Sequence, residues 1–219
     1  MIETEDLPAT PQGLARAAAI LREGGLVAMP TETVYGLAGD ARSDAAVARI
    51  FAAKGRPAGK ALIVLIPDLA AARPLAAFDA RAEALAAAFW PGPLTLVLPR
   101  HATAGLAPPV TAGLASVALR VPGHAVARAL LAAFGGPLAV PSANLSGGRS
   151  PTCPGDIRAA LGGRIAAILD GGPCPLGVES SIVSLAGPAT LLRPGAISRA
   201  ALEDVLAEPL ITASADPAR

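Results

Sequence analysis

Apolar and polar positions alternate along the chain in blocks of helical spacing and short runs that are apolar throughout. After an acidic, polar start, MIETEDLPAT, Thr10 and Pro11 read as a helix cap and first helical residue. Leu14, Ala17, Ala18 and Leu21 then recur at helical spacing until Gly24 and Gly25. LVAM, residues 26–29, is the short apolar run of a buried strand, and the polar stretch PTETVYGLAGD that follows reads as a loop. Ser43 or Asp44 caps a second helix whose apolar face is Val47, Ile50 and Phe51; it ends at Lys54, with Gly55 and Pro57 just beyond. ALIVLI, residues 61–66, is a second buried strand. The spacing further predicts helices near 79–89, 124–134, 155–161 and 198–206, and strands at 94–98, 116–121, 137–140, 165–169 and twice between 181 and 193.

Apolar strands interleaved with helices predict an α/β sheet covered by helices. The last strands have no helix between them, so the sheet is expected to be mixed. From residue 208 the tail PLITASADPAR loses periodicity and is expected to be an irregular end or the start of a linker, leaving residues 1–207 as one domain. The 219 residues are 53% hydrophobic and 16% charged, enough for one large core. No apolar run reaches the roughly 18 residues of a membrane span and the start lacks a secretory pattern, so a cytoplasmic protein without membrane contact is expected. Cys153 and Cys174 have no metal-binding spacing, and His101 and His124 are the only histidines, so neither a disulfide framework nor a zinc site of the usual type is expected and no residue is assigned as a metal ligand. A formal net charge of +1 means that any anion site must be local.

Candidate chemistry gathers in loops at strand ends, where open α/β sheets bind ligands. PTETVYGLAGD, PSANLSGGRSPT (141–152), GVESS (177–181) and LLRPG (191–195) carry the hydroxyls of Thr31, Thr33, Ser142, Ser146, Ser150, Thr152, Ser180 and Ser181 and the amide of Asn144. Such a set suits a small polar ligand, although turns and caps are built of the same residues. Both lysines of the chain, Lys54 and Lys60, flank Arg56 in KGRPAGK, against sixteen arginines overall. The cluster complements a helix C-terminus or binds phosphate. Arg120 at a strand end and Arg193 before Pro194 extend it. Glu32 and Glu179 either hold Mg2+ or cap and pair. GxxxxGK[ST], GxGxxG and GxSxG are all absent, which removes the commonest phosphate loops and the serine-hydrolase elbow.

PTETVYGLAGD, AVARIFAAKGRP, PGPLTLVL, VALRVPGH, PSANLSGGRSPT, GVESSIVSL and LLRPGAIS, in that order, resemble the YrdC-type threonylcarbamoyl-AMP synthase family from about Gly25 to Ser198. The resemblance implies a YrdC/RibB-like twisted mixed sheet flanked by helices, with a concave basic ligand groove. It implies synthesis of threonylcarbamoyl-AMP and pyrophosphate from L-threonine, bicarbonate and ATP, with Mg2+, for N6-threonylcarbamoyladenosine modification of tRNA. It also implies hand-over to a downstream threonylcarbamoyl transferase machinery, and at most weak contact with tRNA. By the same resemblance Thr33, Arg120, Ser142 and Ser180 or Ser181 hold threonine, while Arg56, Ser116, Asn144, Thr152 and Arg193 hold the nucleotide. Lys54 and Lys60 add positive charge near the phosphates, and Lys54 and Arg56 are the residues expected to act in catalysis.

The chain departs from the family pattern at Leu65, where many members carry histidine, and at Lys60–Ala61, where Asn-Pro is common. Longer members continue into a second domain, so the chain reads as a short form with a tail or as an excerpt. Two other readings share the fold. A non-catalytic RNA-binding module is disfavoured by the low net charge and few aromatic residues. A carbamoyl-adenylate domain of the hydrogenase-maturation type is disfavoured by the lack of zinc-finger-like cysteines.

Overall fold

The computed structural model describes residues 3–57 and 59–212. In chain order its elements are β1 (Glu5–Pro8), α1 (Pro11–Arg22), β2 (Val27–Met29), β3 (Gly36–Asp40), α2 (Asp44–Lys54), β4 (Ile63–Leu65), α3 (Leu69–Ala72) and α4 (Ala80–Phe89). There follow β5 (Leu94–Pro99), a 3-10 turn (Pro108–Val110), β6 (Ser116–Arg120), α5 (Ala125–Phe134), β7 (Leu138–Ala139) and α6 (Pro154–Leu161). The chain continues through β8 (Ala167–Asp170), β9 (Ser181–Ser184), β10 (Thr190–Arg193), α7 (Arg199–Leu206) and β11 (Ile211–Thr212).

The helix boundaries follow local chemistry. Thr10, Ser43, Asp79 and Ser198 each accept a backbone N–H of the first turn of α1, α2, α4 and α7. Gly55 closes α2 with φ 58°, the left-handed conformation that favours glycine.

The strands lie in the order β1-β8-β2-β3-β7-β4-β6-β5-β9-β10-β11. The sheet is mixed, as the sequence predicts: β4 runs parallel to β6, whereas β5 is antiparallel to β6 and β7 to β4. Strand β2 is buried on both faces, which is why its sequence is continuously apolar. Val27 and Met29 pack with Leu21 of α1 and Leu130, Leu131 and Phe134 of α5. Leu26 and Ala28 turn to the opposite core, which contains Val47 and Ile50 of α2, Leu85 of α4, Ile157 of α6 and Leu202 of α7.

Two expectations need correction, and one strand lies where none is predicted. The stretch Pro30–Asp40 is a loop only in its first half, because Gly36–Asp40 is β3. This strand spans the sheet's centre, Gly36 to Ala38 pairing with β2 and Gly39 and Asp40 with β7. A side chain at Gly36 would come within 2.2 Å of Val140 Cγ1, so the strand is glycine-containing by steric need rather than turn-forming. The polar N-terminus contains β1, an edge strand with only Leu7 buried, held by parallel pairing with β8. In the tail, Leu210 is buried and β11 pairs with β10, since two residues need no periodicity to join a ladder. Residues 213–219 of the tail lie outside the described residues.

Candidate active site

The ends of β2, α2, β6, β7 and β10 converge on an open cavity of about 340 Å3. Of the residues singled out in the sequence, Thr33, Lys54, Arg56, Arg120, Ser142, Asn144, Ser180 and Arg193 line it. Among the described residues four cations, Lys54, Arg56, Arg120 and Arg193, and one carboxylate, Glu179, line it, with Arg120 and Arg193 each paired with a glutamate.

One wall is a directed chain of hydrogen bonds. Thr31 Oγ1 donates to Val34 O at 2.6 Å, which uses its only proton. At the 2.8 Å contact between Thr31 and Thr33 the donor is therefore Thr33. Thr33 Oγ1 in turn accepts from Arg120 Nη1 at 3.0 Å. Its one remaining lone pair is free for a donor on a ligand. Arg120, 5% exposed, is further anchored by Nε donating to Gly92 O at 3.1 Å, and its Nη2 lies 2.7 Å from Glu32 Oε1.

The opposite wall is the loop after β7. Lys54, 2% exposed, donates from Nζ to Ser142 O and, at 2.5 Å, to Asn144 O. Its own carbonyl accepts from Ser146 N at 2.8 Å. Burial, with the charge of Arg56 added, pushes the Lys54 ammonium down to about 8. Asn144 braces the same loop, accepting from Ser142 Oγ at 2.5 Å and donating to Leu145 O and Gly148 O, each at 2.7 Å. Half-buried Arg56 reaches Ala61 O at 3.3 Å, and its Nε has no partner among the described residues. A buried guanidinium with donors to spare is a place for an anion.

At the third side Arg193 donates from Nε and Nη2 to Ser180 O, at 3.1 and 2.9 Å, and from Nη2 to Ser180 Oγ at 3.0 Å. Its Nη1 pairs with Glu179, which also accepts from Ser150 Oγ at 2.7 Å. Ser180 Oγ contacts Thr95 Oγ1 at 2.8 Å.

Four other expected residues are not in the lining. Ser181 is fully buried on the other side of β9, its hydroxyl donating to Ile197 O at 2.7 Å and accepting from Ile197 N at 3.0 Å. Lys60 is exposed beside the lining residues Ala61 and Leu62. Ser116 opens β6, at the opposite end from Arg120, across from Pro99. Thr152 lines an adjoining cavity of about 410 Å3 that shares Asn144 and Ser150 with the first. Thr31, Ser146 and Ser150, named in the sequence only among the loop hydroxyls, and Glu179, named there as a Mg2+ holder or a capping and pairing residue, also line the first cavity, and Leu65 presents an apolar surface where the family pattern suggests histidine. Among the described residues no group of three or more His, Cys, Asp or Glu could hold a metal ion. Nor is any helix among them long and apolar enough to cross a membrane.

Comparison with known proteins identifies the chain's relatives. Residues 19–195 match the Sua5/YciO/YrdC family model, described as "Telomere recombination". Threonylcarbamoyl-AMP synthase of Bacillus subtilis is 48% identical over 205 residues, covering 93% of this chain and 59% of that protein. The synthase of Chromohalobacter salexigens is 41% identical, covering 84% of this chain and 98% of its own. The crystal structure of Pyrococcus abyssi Sua5 complexed with L-threonine superposes with a TM-score of 0.90 at 42% identity, over 95% of this chain and 62% of that one. The chain thus spans about three fifths of the longer relatives it matches. On the strength of the family-model match and these identities, the chain belongs to the Sua5/YciO/YrdC family.

Proposed function

We propose that this chain is a threonylcarbamoyl-AMP synthase, joining L-threonine, bicarbonate and ATP with release of pyrophosphate. The observation that carries the reading is the single open cavity lined by Arg120 and Thr33 together with Arg56. It offers one buried guanidinium for a carboxylate, one lone pair for an amine, and further cations for phosphates. The relative of known structure that binds L-threonine has the same fold at 42% identity, which supports assigning the amino acid to this cavity.

In this reading Arg120 holds the threonine carboxylate and Thr33 accepts from its amine. Ser142, Asn144 and Lys54 shape the loop over the reacting centre. The amine adds to carbon dioxide derived from bicarbonate, losing a proton and leaving a carbamate. A carbamate oxygen then attacks the α-phosphate, and the bond to the β-phosphate breaks to release pyrophosphate. No covalent enzyme intermediate is needed, so the residues act by positioning and by stabilising charge. Arg56 faces the charge that develops on the phosphates. Mg2+ fits the site only as a companion of the nucleotide: Glu179, the one lining carboxylate, is engaged by Arg193 and Ser150. The adenylate product would pass to a transferase acting on tRNA.

The test is pyrophosphate release from ATP with and without L-threonine and bicarbonate, with the product identified by mass. Release that requires both and yields threonylcarbamoyl-AMP is expected. Release indifferent to threonine refutes the reading.

A further inference from the structure

Glu32 sits in the chain between two residues that line the cavity, Thr31 and Thr33, yet its own side chain turns away from it. The carboxylate runs behind Arg120, 2.7 Å from Nη2, with the two side chains 12% and 6% exposed. The contact is an ion pair rather than an aligned hydrogen bond, since both Glu32 oxygens and Arg120 Nη2 lack an aligned hydrogen-bond partner among the described residues. Burial would raise the Glu32 carboxyl, but the charge of Arg120 and the N–H of Gly123 outweigh it, and Glu32 stays below the ordinary carboxylate range. Close approach is built in: a side chain at Gly123 would lie 3.4 Å from Glu32 Oε1. The main chain of Glu32 is fastened too, its carbonyl accepting from Leu176 N at 2.9 Å.

Arg120 is thereby held at three corners, by Gly92 O, Thr33 Oγ1 and the Glu32 carboxylate. Arg120 lines the cavity, and its remaining N–H bonds are the ones left for a ligand. We propose that Glu32 is a positioning residue for threonine recognition, setting the orientation in which Arg120 presents its guanidinium to the substrate carboxylate. This rests on the function proposed above. It also makes an unusual demand of sign, because a carboxylate behind an anion-binding arginine weakens attraction at a distance. If Glu32 mattered only through its charge, removing it would tighten threonine binding; if it orients Arg120, removing it loosens binding.

Two variants separate these effects. Glu32→Gln keeps the shape and removes the charge, and Glu32→Asp keeps the charge and withdraws it by one methylene. Both are expected to raise KM for L-threonine, by about tenfold if a charge-assisted contact to Arg120 is what is lost. KM for ATP should stay unchanged, and kcat should change far less than KM. A lower or unaltered threonine KM in Glu32→Gln, or a wild-type value in Glu32→Asp, overturns the proposal. So does an equal rise in both Michaelis constants, which is the mark of general damage. If the Gln protein does not fold, the Asp protein decides alone. Wild-type protein whose pyrophosphate release ignores threonine refutes the functional reading instead, so the two failures are distinct.

Discussion

Gly195 lies just past β10 against the residues that lead into β9, and replacing it by alanine tests how rigidly the corner formed by the start of β9 and the end of β10 is set. A Cβ there would meet Glu179 O, Ser180 C and Ser181 N, each at 2.5 Å. All three are backbone atoms, so no side chain can swing aside. Reaching ordinary contact at 3.4 Å requires a displacement of about 0.9 Å, the difference of the two distances. That movement strains the 3.1 Å bond from Ala196 N to Glu179 O and the paired bonds from Arg193 to Ser180 O. Overpacking costs about 1–3 kcal/mol, and each of the three weakened hydrogen bonds about 1 kcal/mol more, for a total of roughly 4–6 kcal/mol. For a chain of this size Tm should fall by roughly 8–24 °C. Ser180 and Arg193 move with the corner, and a misplacement near 1 Å costs about a hundredfold in rate.

The assay is thermal unfolding of Gly195→Ala together with kcat/KM for threonine, measured well below the lowered Tm. Gly187→Ala is the control, because a side chain there meets nothing within 4 Å. A Gly195→Ala protein as stable and as active as the control would refute the claim that this contact sets the site.

Further outcomes follow from the same geometry. Ser181→Ala should lower stability by about 1–2 kcal/mol, because it strands the N–H and carbonyl of Ile197, while KM for threonine stays at the wild-type value; parallel titration of both quantities checks it. Ser180→Ala, one residue away, should instead reduce kcat/KM for threonine with a smaller effect on Tm. Lys54 titrates near 8, below its ordinary 10.5, so between these values the folded chain binds fewer protons than the unfolded one. The stability contribution of Lys54 is therefore lowest below pH 8 and rises through the window, whereas ATP affinity weakens over the same range as the charge is lost. Melting curves and ATP Kd followed across that window, with Lys54→Met as the variant lacking both trends, test the assignment.

Capping chemistry and apolar runs carry most of the helices and the central strands, because those signals are local. The segment Ser43 to Gly55 is legible in full: a hydroxyl cap, an apolar face and a left-handed glycine. Strand β3 escapes such a reading because GLAGD owes its extended form to neighbours on both sides and to the bulk of Val140, which lies a hundred residues on. The site divides in the same way. Strand ends and cations point to Arg120 and Arg193, but the fold alone pairs them with Glu32 and Glu179, the acidic residues that aim them. Ser180 and Ser181 are equivalent in sequence, and only the two-residue alternation at the start of β9, with its known flanks, sends one hydroxyl to the cavity and the other to Ile197.

The buried ammonium of Lys54 bears on the make-up of the whole chain. Sixteen of its eighteen long basic side chains are arginine, a drift that exposed positions accept freely, as they need only a charge. At position 54 two carbonyls converge on a single nitrogen of an almost wholly buried side chain. A planar fork of five donors cannot be seated there without leaving several of them unbonded. Replacement of lysine by arginine thus meets a geometric stop at the end of α2, which the exposed Lys60 six residues on does not share.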